Sequence, residues 1–408
     1  MRRKQRRRSN PIRLLVLLLL IAVMVYVNQV VVPAMPKPFV PTPTPTVNPE
    51  AYLTKAQEAF RKGQLEVAIQ AYQQAILHDP DKPSLHAALA RVQLLAGQYA
   101  AALTSAENAL LLNPDYARAH ALRGYALYKL GNDVQAQTEL QRALTLDPND
   151  ALAHAFLAAL YADQELYQKA DEELRKALAI APSDLEVRQI YGYVLFAEGL
   201  YKRAVEEYKA ALAINDNIPS LHITLGLLYR AQGDYNDAID EFSRANALNP
   251  ADPMPDAYIA TTYALQGQYG RALQYAAKAA EEAPGNPYMH GNYGLILYKN
   301  GKYTEAVKEL ALAVKGGTTK DGVIVKGLPL DYGRVADYYS VYGLALVKIG
   351  RCDEALPVFQ AILAGVPTDE AAVYNAHQGI SECSAQAATT PTPAATGTGT
   401  ATTATPAP

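Results

Sequence analysis

The sequence contains no tryptophan and only two cysteines. Two thiols are too few for a disulfide framework or a thiolate zinc ribbon. The first 49 residues carry no Asp or Glu, yet they hold eight of the chain's 37 Lys and Arg. The rest of the chain then sets 29 basic against 40 acidic side chains, an acidic body behind a basic end. No Asn-x-Ser/Thr sequon occurs, which weighs against a eukaryotic secretory glycoprotein and favours a prokaryotic source. No catalytic triad, phosphate-binding loop, metal motif or dinucleotide fingerprint is present. The expectation is therefore a protein that is not an enzyme, with no cofactor, no metal and no small-molecule substrate. What is present excludes a wholly disordered chain: 50% of the residues are apolar and 19% are charged. A chain of 408 residues suffices for two or three domains or for one long array.

The amino terminus reads as a membrane address. Residues 1–13 form a basic segment with six Lys or Arg in the first eight positions, and an apolar run follows from Leu14 to Val32. Nineteen residues at about 1.5 Å each approach the hydrocarbon thickness, so 14–32 is expected to be a transmembrane signal anchor. Basic flanks stay in the cytoplasm, which puts everything after Pro33 on the extracytoplasmic side. No small-x-small cleavage site follows the run and no Cys lies near residue 30, so a lipoprotein anchor there is excluded. The same topogenic role explains the basic cluster without nucleic acid, which the acidic body also disfavours. Residues 33–48 form a Pro/Thr-rich linker, and residues 385–408 a Thr/Pro/Ala-rich tail expected to be disordered.

Between these ends a 34-residue period runs through the chain. Gly63, Gly97, Gly131, Gly199, Gly233, Gly267 and Gly301 fall on one stride, with Glu165 as the exception. A ninth turn, Gly350, is displaced by 15 extra residues. Five positions after each turn lies Ala68, Ala102, Ala136, Ala170, Ala204, Ala238, Ala272, Ala306 and Ala355. Seven positions before it lies Ala or Gly, small enough to let two helices approach closely. Pro80, Pro114, Pro148, Pro182, Pro250, Pro284 and Pro367 end the second helices. An aromatic residue commonly follows the turn, as at Tyr99, Tyr167, Tyr201, Tyr235, Tyr269 and Tyr303.

This pattern resembles the tetratricopeptide repeat (TPR) family over residues 49–369. The resemblance implies an all-α fold, a right-handed superhelical solenoid of helix-turn-helix repeats; with the nine turns and the apolar run read above, nine repeats preceded by one transmembrane helix are expected. Its inner wall would be lined by the first helix of each pair. The family's Trp is replaced mostly by His, at His86, His120, His154, His222 and His290, which are read as seam-packing residues and not as metal ligands. The family's carboxylate clamp for chaperone tails needs Lys and Asn across neighbouring first helices, and that constellation is missing. Residues 370–384 read as a capping helix.

Recognition is the remaining potential. Tyr125, Tyr128, Tyr193, Phe196, Arg230, Tyr298 and Lys299 occupy variable positions of first helices and are expected to face one concave groove that binds a protein or extended peptide. Cys352 and Cys383 lie on the same edge of the last repeat, and outside the cytoplasm they are expected to form a disulfide that staples the cap. The insertion at 316–335 is bounded by glycines and alternates Val, Ile and Leu, which predicts a short hairpin or folded loop over the groove or paired with a peptide. The functional expectation is a membrane-tethered extracytoplasmic scaffold in cell-envelope assembly or secretion. The alternative is a self-assembling structural protein of the cell surface.

Overall fold

The computed structural model describes residues 11–31 and 49–389. The 33–48 linker, the residues before Pro11 and the tail from residue 390 onward lie outside the described residues. The chain divides into two bodies, one ending at Ala51 and the other beginning at Tyr52.

In the N-terminal body an α-helix, Pro11–Tyr26, is followed by a π-helical turn, Val27–Val31. The expected single span over 14–32 is thus not one α-helix. The regular part has 16 residues, about 24 Å, short of a hydrocarbon core of about 30 Å. No helix among the described residues is long and apolar enough to cross a membrane.

The larger body is a stack of nine antiparallel helix pairs, from Pro49–Arg61 with Leu65–His78 to Arg334–Lys348 with Cys352–Gly365. The pairs are called repeats 1 to 9 below, after their turns at positions 63, 97, 131, 165, 199, 233, 267, 301 and 350. All eight turn glycines have positive φ. The next amide reaches back five residues, as Gln98 N–H does to the Gln93 carbonyl at 2.8 Å and Leu200 N–H to Leu195 at 2.8 Å. This closure satisfies carbonyls that a helix end leaves free, and it requires a left-handed residue. Glu165 supplies it in repeat 4 with φ 59°, the one non-glycine residue with positive φ among the described residues.

The helices pack through small side chains. The nine alanines five positions after the turns are all fully buried, at 0% exposure. The small position before each turn is matched to the residue 16 positions later. A Cβ on Gly226 would lie 2.6 Å from the Phe242 ring, and one on Gly192 2.7 Å from the Tyr208 ring. Where the later position holds Ala106 or Ala276, the earlier one is Ala90 or Ala260, so both sides of that contact are small.

Four of the five expected seam histidines tie the inter-repeat loop to both helices of their repeat, while among the described residues His86 bonds to the loop alone, at the Pro80 carbonyl, 3.1 Å away. His222 Nε2 donates to the Asp216 carbonyl at 2.8 Å, and its Nδ1 lies 2.6 Å from Glu241. His290 pairs likewise with the Pro284 carbonyl at 2.9 Å and Glu309 at 2.7 Å, and His120 with Pro114 at 2.9 Å and Glu139 at 2.7 Å. His154 repeats the set with Pro148 and Glu173. Arg188 stands at the same position in repeat 5 and reaches the Pro182 carbonyl and Glu207, each at 2.7 Å. These positions are seam clamps. Both partners accept only, so an imidazole donates to both only when protonated.

The chain past the ninth repeat differs from expectation in length. The last helix runs Glu370–Thr389, five residues beyond residue 384, so 385–389 are helical rather than part of the tail. Cys352 and Cys383 are joined in a disulfide that links this helix to the second helix of repeat 9. In the insertion, Gly317–Thr318 pairs antiparallel with Ile324–Val325. Leu328 N–H donates to the Ala313 carbonyl at 2.8 Å, and the Leu328 carbonyl accepts from the Tyr339 hydroxyl at 2.8 Å. Gly285 lies beside Val323 and Ile324, and Gly365 beside Leu330. The insertion therefore sits on the edge that carries the inter-repeat loops, wedged between repeats 8 and 9. Its residues 316–333 line neither cavity described below; Arg334, where the first helix of repeat 9 begins, lines the second.

Candidate functional site: two cavities on the concave face

The concave face is not one open trough. The inner wall curls until early repeats touch middle ones. Arg91 of repeat 2 makes two hydrogen bonds to Glu186 of repeat 5, that from Nη2 at 2.7 Å, and lies 3.6 Å from Asp184. Asn215 and Asn217, in the loop after repeat 5, donate to the carbonyls of Phe60 and Arg61 at 3.3 and 3.2 Å. Gly63 lies so close that a Cβ there would collide with the Asn217 carbonyl oxygen at 1.4 Å. Burial disfavours the Arg91 charge, but the Glu186 hydrogen bond and the Glu186 and Asp184 charges outweigh it and raise the guanidinium pKa.

Behind this clasp lies a cavity of about 470 Å³ formed by repeats 2 to 6. Tyr125, Tyr193 and Phe196 line it, with Tyr99, Lys129 and Phe156. The Tyr125 ring stacks on Phe156 with centroids 4.1 Å apart. Tyr128 is buried and does not line the cavity; its hydroxyl donates to Asp163 at 2.5 Å. Tyr193 donates to the same carboxylate. Burial, then the Asp163 hydrogen bond, push the Tyr193 phenol up to about 12. The Lys129 ammonium stands over the Tyr99, Tyr128 and Tyr193 rings at 5.8, 5.2 and 5.7 Å, and burial lowers its pKa against the pull of Asp163. These tyrosines hold one another, a lysine and an aspartate. Three of the seven expected recognition residues, Tyr125, Tyr128 and Tyr193, are thus committed to internal contacts, and Phe196, 45% exposed, is the open one at this cavity.

A second cavity of about 750 Å³ lies over repeats 6 to 9. Arg230 and Lys299 belong to it; Tyr298 lines neither cavity and packs on Tyr303 with centroids 5.4 Å apart. Arg230 stands over the Tyr258 ring at 5.5 Å and donates to Thr261 Oγ1 at 3.1 Å. Arg334 donates to Asn292 Oδ1 at 2.7 and 3.1 Å and stands over Tyr338 at 5.6 Å. Tyr338 donates to the same Asn292 oxygen at 2.8 Å. No Asp or Glu lines this cavity. Sequence reading missed Arg334, Tyr258 and Asn292 here, Lys129 in the first cavity and Asp163 beside it, where it accepts from Tyr128 and Tyr193. One signal was available: Lys129, Asp163 and Lys299 all lie two positions before their turns.

Among the described residues no group of three His, Cys, Asp or Glu is placed to hold a metal ion. Family models described as tetratricopeptide repeat match residues 59–124, 93–160, 195–260 and 263–317, more than half of the chain, and a second such model matches 151–184. The chain belongs to the tetratricopeptide repeat family. The TPR fold is typically a scaffold and not an enzyme. No curated protein matches the chain by sequence. Among solved structures, a human IFIT1 dimer with PPP-AAAA matches at 18% identity over 83% of this chain and 82% of that one, with a TM-score of 0.54. PilW, described as a widely conserved type IV pilus biogenesis factor, matches at 19% identity over 63% and 97%, TM-score 0.42. A thermophilic TPR protein of Thermus thermophilus matches at 26% identity over 45% and 99%, TM-score 0.39. These likenesses concern the TPR fold.

Proposed function

We propose that this TPR protein is a membrane-tethered scaffold that holds a protein or an extended peptide against its concave face, with the repeats on the extracytoplasmic side, in cell-envelope assembly or secretion. The second cavity carries this reading. It is a wide concave surface built by four repeats, with tyrosines, thioethers and three cations turned into it and no acid in its wall. Aromatic and arginine side chains on a concave wall supply the anchoring contacts of protein recognition. Tethering is supported by the apolar side chains of Leu15 to Leu20, Ile21, Val23, Met24 and Val25, all exposed. An exposed apolar run behind a basic cluster is matched by a lipid phase. The Cys352–Cys383 bond agrees with an oxidising compartment.

Crosslinking of the full-length chain in intact cells tests the scaffold reading, beside a variant with Arg230, Lys299 and Arg334 changed to Glu. A protein captured by the native chain and lost from the variant supports it. Recovery of the chain alone, or of itself in both forms, overturns it in favour of self-assembly. Deletion of residues 11–31 tests the tether: the full chain is expected to stay with membranes through an alkaline wash and the deletion to leave them. Equal release of both forms would remove the membrane from the reading.

A further inference from the structure

The second cavity differs from its surroundings in charge. The body after the first 49 residues is acidic, with 40 Asp and Glu against 29 Lys and Arg, yet Arg230, Lys299 and Arg334 line this cavity without an acid beside them in its wall. Arg334 has one acidic neighbour, Asp337 at 3.9 Å, with both side chains about half exposed. Arg230 and Lys299 make no ion pair among the described residues. Burial lowers the Arg230 pKa, and Arg334's charge adds to that while Tyr258 opposes it. Three like charges turned toward one space, with only the half-exposed Asp337 beside one of them, form a site complementary to an anion.

The cations come from repeats 6, 8 and 9, and Arg334 lies near enough to Arg230 for its charge to lower the Arg230 pKa. The space they share is wide and mostly apolar, so a ligand that carries carboxylates together with apolar side chains, as an acidic peptide does, fits it better than a single small anion. Between the cations lie Met254, Met289, Leu265 and Leu295. Thioethers make an adaptable wall for apolar side chains of varied shape. A nucleic acid is the less favoured polyanion, because phosphate backbones are held by many cations and this cavity offers three on an acidic body.

We infer that the second cavity selects an extended acidic peptide, its carboxylates paired with Arg230, Lys299 and Arg334 and its intervening apolar side chains set against Met254, Met289 and Leu265. This rests on the scaffold reading above and gives it a ligand class. The pre-set guanidinium of Arg230, held over Tyr258 and by Thr261, favours the pairing because it has little freedom left to lose.

The test uses the full-length chain in detergent micelles and three fluorescein-labelled probes: a peptide of alternating Glu and Leu, its Gln and Leu counterpart, and an oligoadenylate of equal length. The Glu peptide is expected to bind at least about tenfold more tightly than the Gln peptide, the scale of a charge-assisted pair or two. Arg230→Gln, Lys299→Gln and Arg334→Gln should each weaken the Glu peptide and leave the Gln peptide unchanged. Lys299 is exposed, so its variant cannot act through packing. Melting curves for each variant exclude misfolding. Equal affinity for the two peptides overturns the acidic specificity and leaves the scaffold reading standing. Binding of neither peptide overturns both. Tighter binding of the oligoadenylate, lost in the same variants, overturns the peptide in favour of nucleic acid.

Discussion

Arg91 and Glu186 lie 95 positions apart in the chain and are bound by two side-chain hydrogen bonds, with the Glu186 side chain only 6% exposed. This pair ends one turn of the array on another and encloses the first cavity. Arg91→Ala leaves a buried carboxylate with no cation. The expected loss is about 2–3 kcal/mol, kept modest because Arg91 itself is partly in water. Urea denaturation measures that loss. Small-angle scattering should show a larger radius of gyration as repeats 1 and 2 swing away from repeats 5 and 6. An unchanged radius would mean that the asparagine contacts around Gly63 suffice for closure.

The His222 and His290 clamps make stability depend on pH. Burial opposes protonation of His222, but the Glu241 hydrogen bond, the Asp216 carbonyl and the Glu241 charge outweigh it and raise the pKa above its ordinary 6.5. His290 is raised in the same way by Glu309 and Pro284. A group with a raised folded pKa contributes stability in full below its unfolded value and loses it as pH rises through the folded value. The stability difference between the native chain and His222→Gln should therefore be largest below about pH 6 and shrink toward pH 8.5. A difference that grows with pH would contradict the protonated clamp.

Glu165 occupies the left-handed turn position that glycine holds in the other eight repeats. A side chain there costs about 1–2 kcal/mol, offset in part by the greater freedom glycine has when unfolded. Glu165→Gly is expected to raise stability by about 0.5–1 kcal/mol, read as a shift of the urea midpoint at constant slope. A lower midpoint would mean that the exposed Glu165 side chain makes a contact worth more than the strain.

The Cys352–Cys383 bond closes a loop of 31 positions around the C-terminal end of the array. Replacing both cysteines by Ser should cost about 2–4 kcal/mol. Repeat arrays respond locally, since each repeat contacts mainly its neighbours. Hydrogen exchange should therefore rise in residues 352–389 and stay unchanged in repeats 2 to 5. A uniform rise would mean that the whole stack unfolds as one.

The helix pairs, their turns and their seams were legible because each depends on residues close in sequence. Gly226 faces Phe242 within one hairpin, and His222 meets Glu241 at a fixed separation of 19. The two cysteines sit one repeat apart on the same edge. The candidate site was legible only in part. Variable first-helix positions pointed to Phe196, Arg230 and Lys299, which line the cavities. They pointed equally to Tyr128, whose hydroxyl is taken by Asp163, and to Tyr298, which packs on Tyr303. Nothing in the periodicity separates a tyrosine facing a cavity from one bound to a carboxylate of the next repeat.

The sequence by itself determined a nine-repeat array, its left-handed turns, its small-residue seams and the basic, apolar amino terminus. These follow from steric fit and backbone geometry within about 34 residues, a range that a repeating pattern displays directly. Only the tertiary structure decided that early repeats close onto middle ones across the concave face and set the two described cavities apart. Each repeat adds a small rotation, and the sum over several repeats brings Arg91 to Glu186 and Asn217 to Gly63. That sum depends on the volume of every seam between them, so no local motif records it.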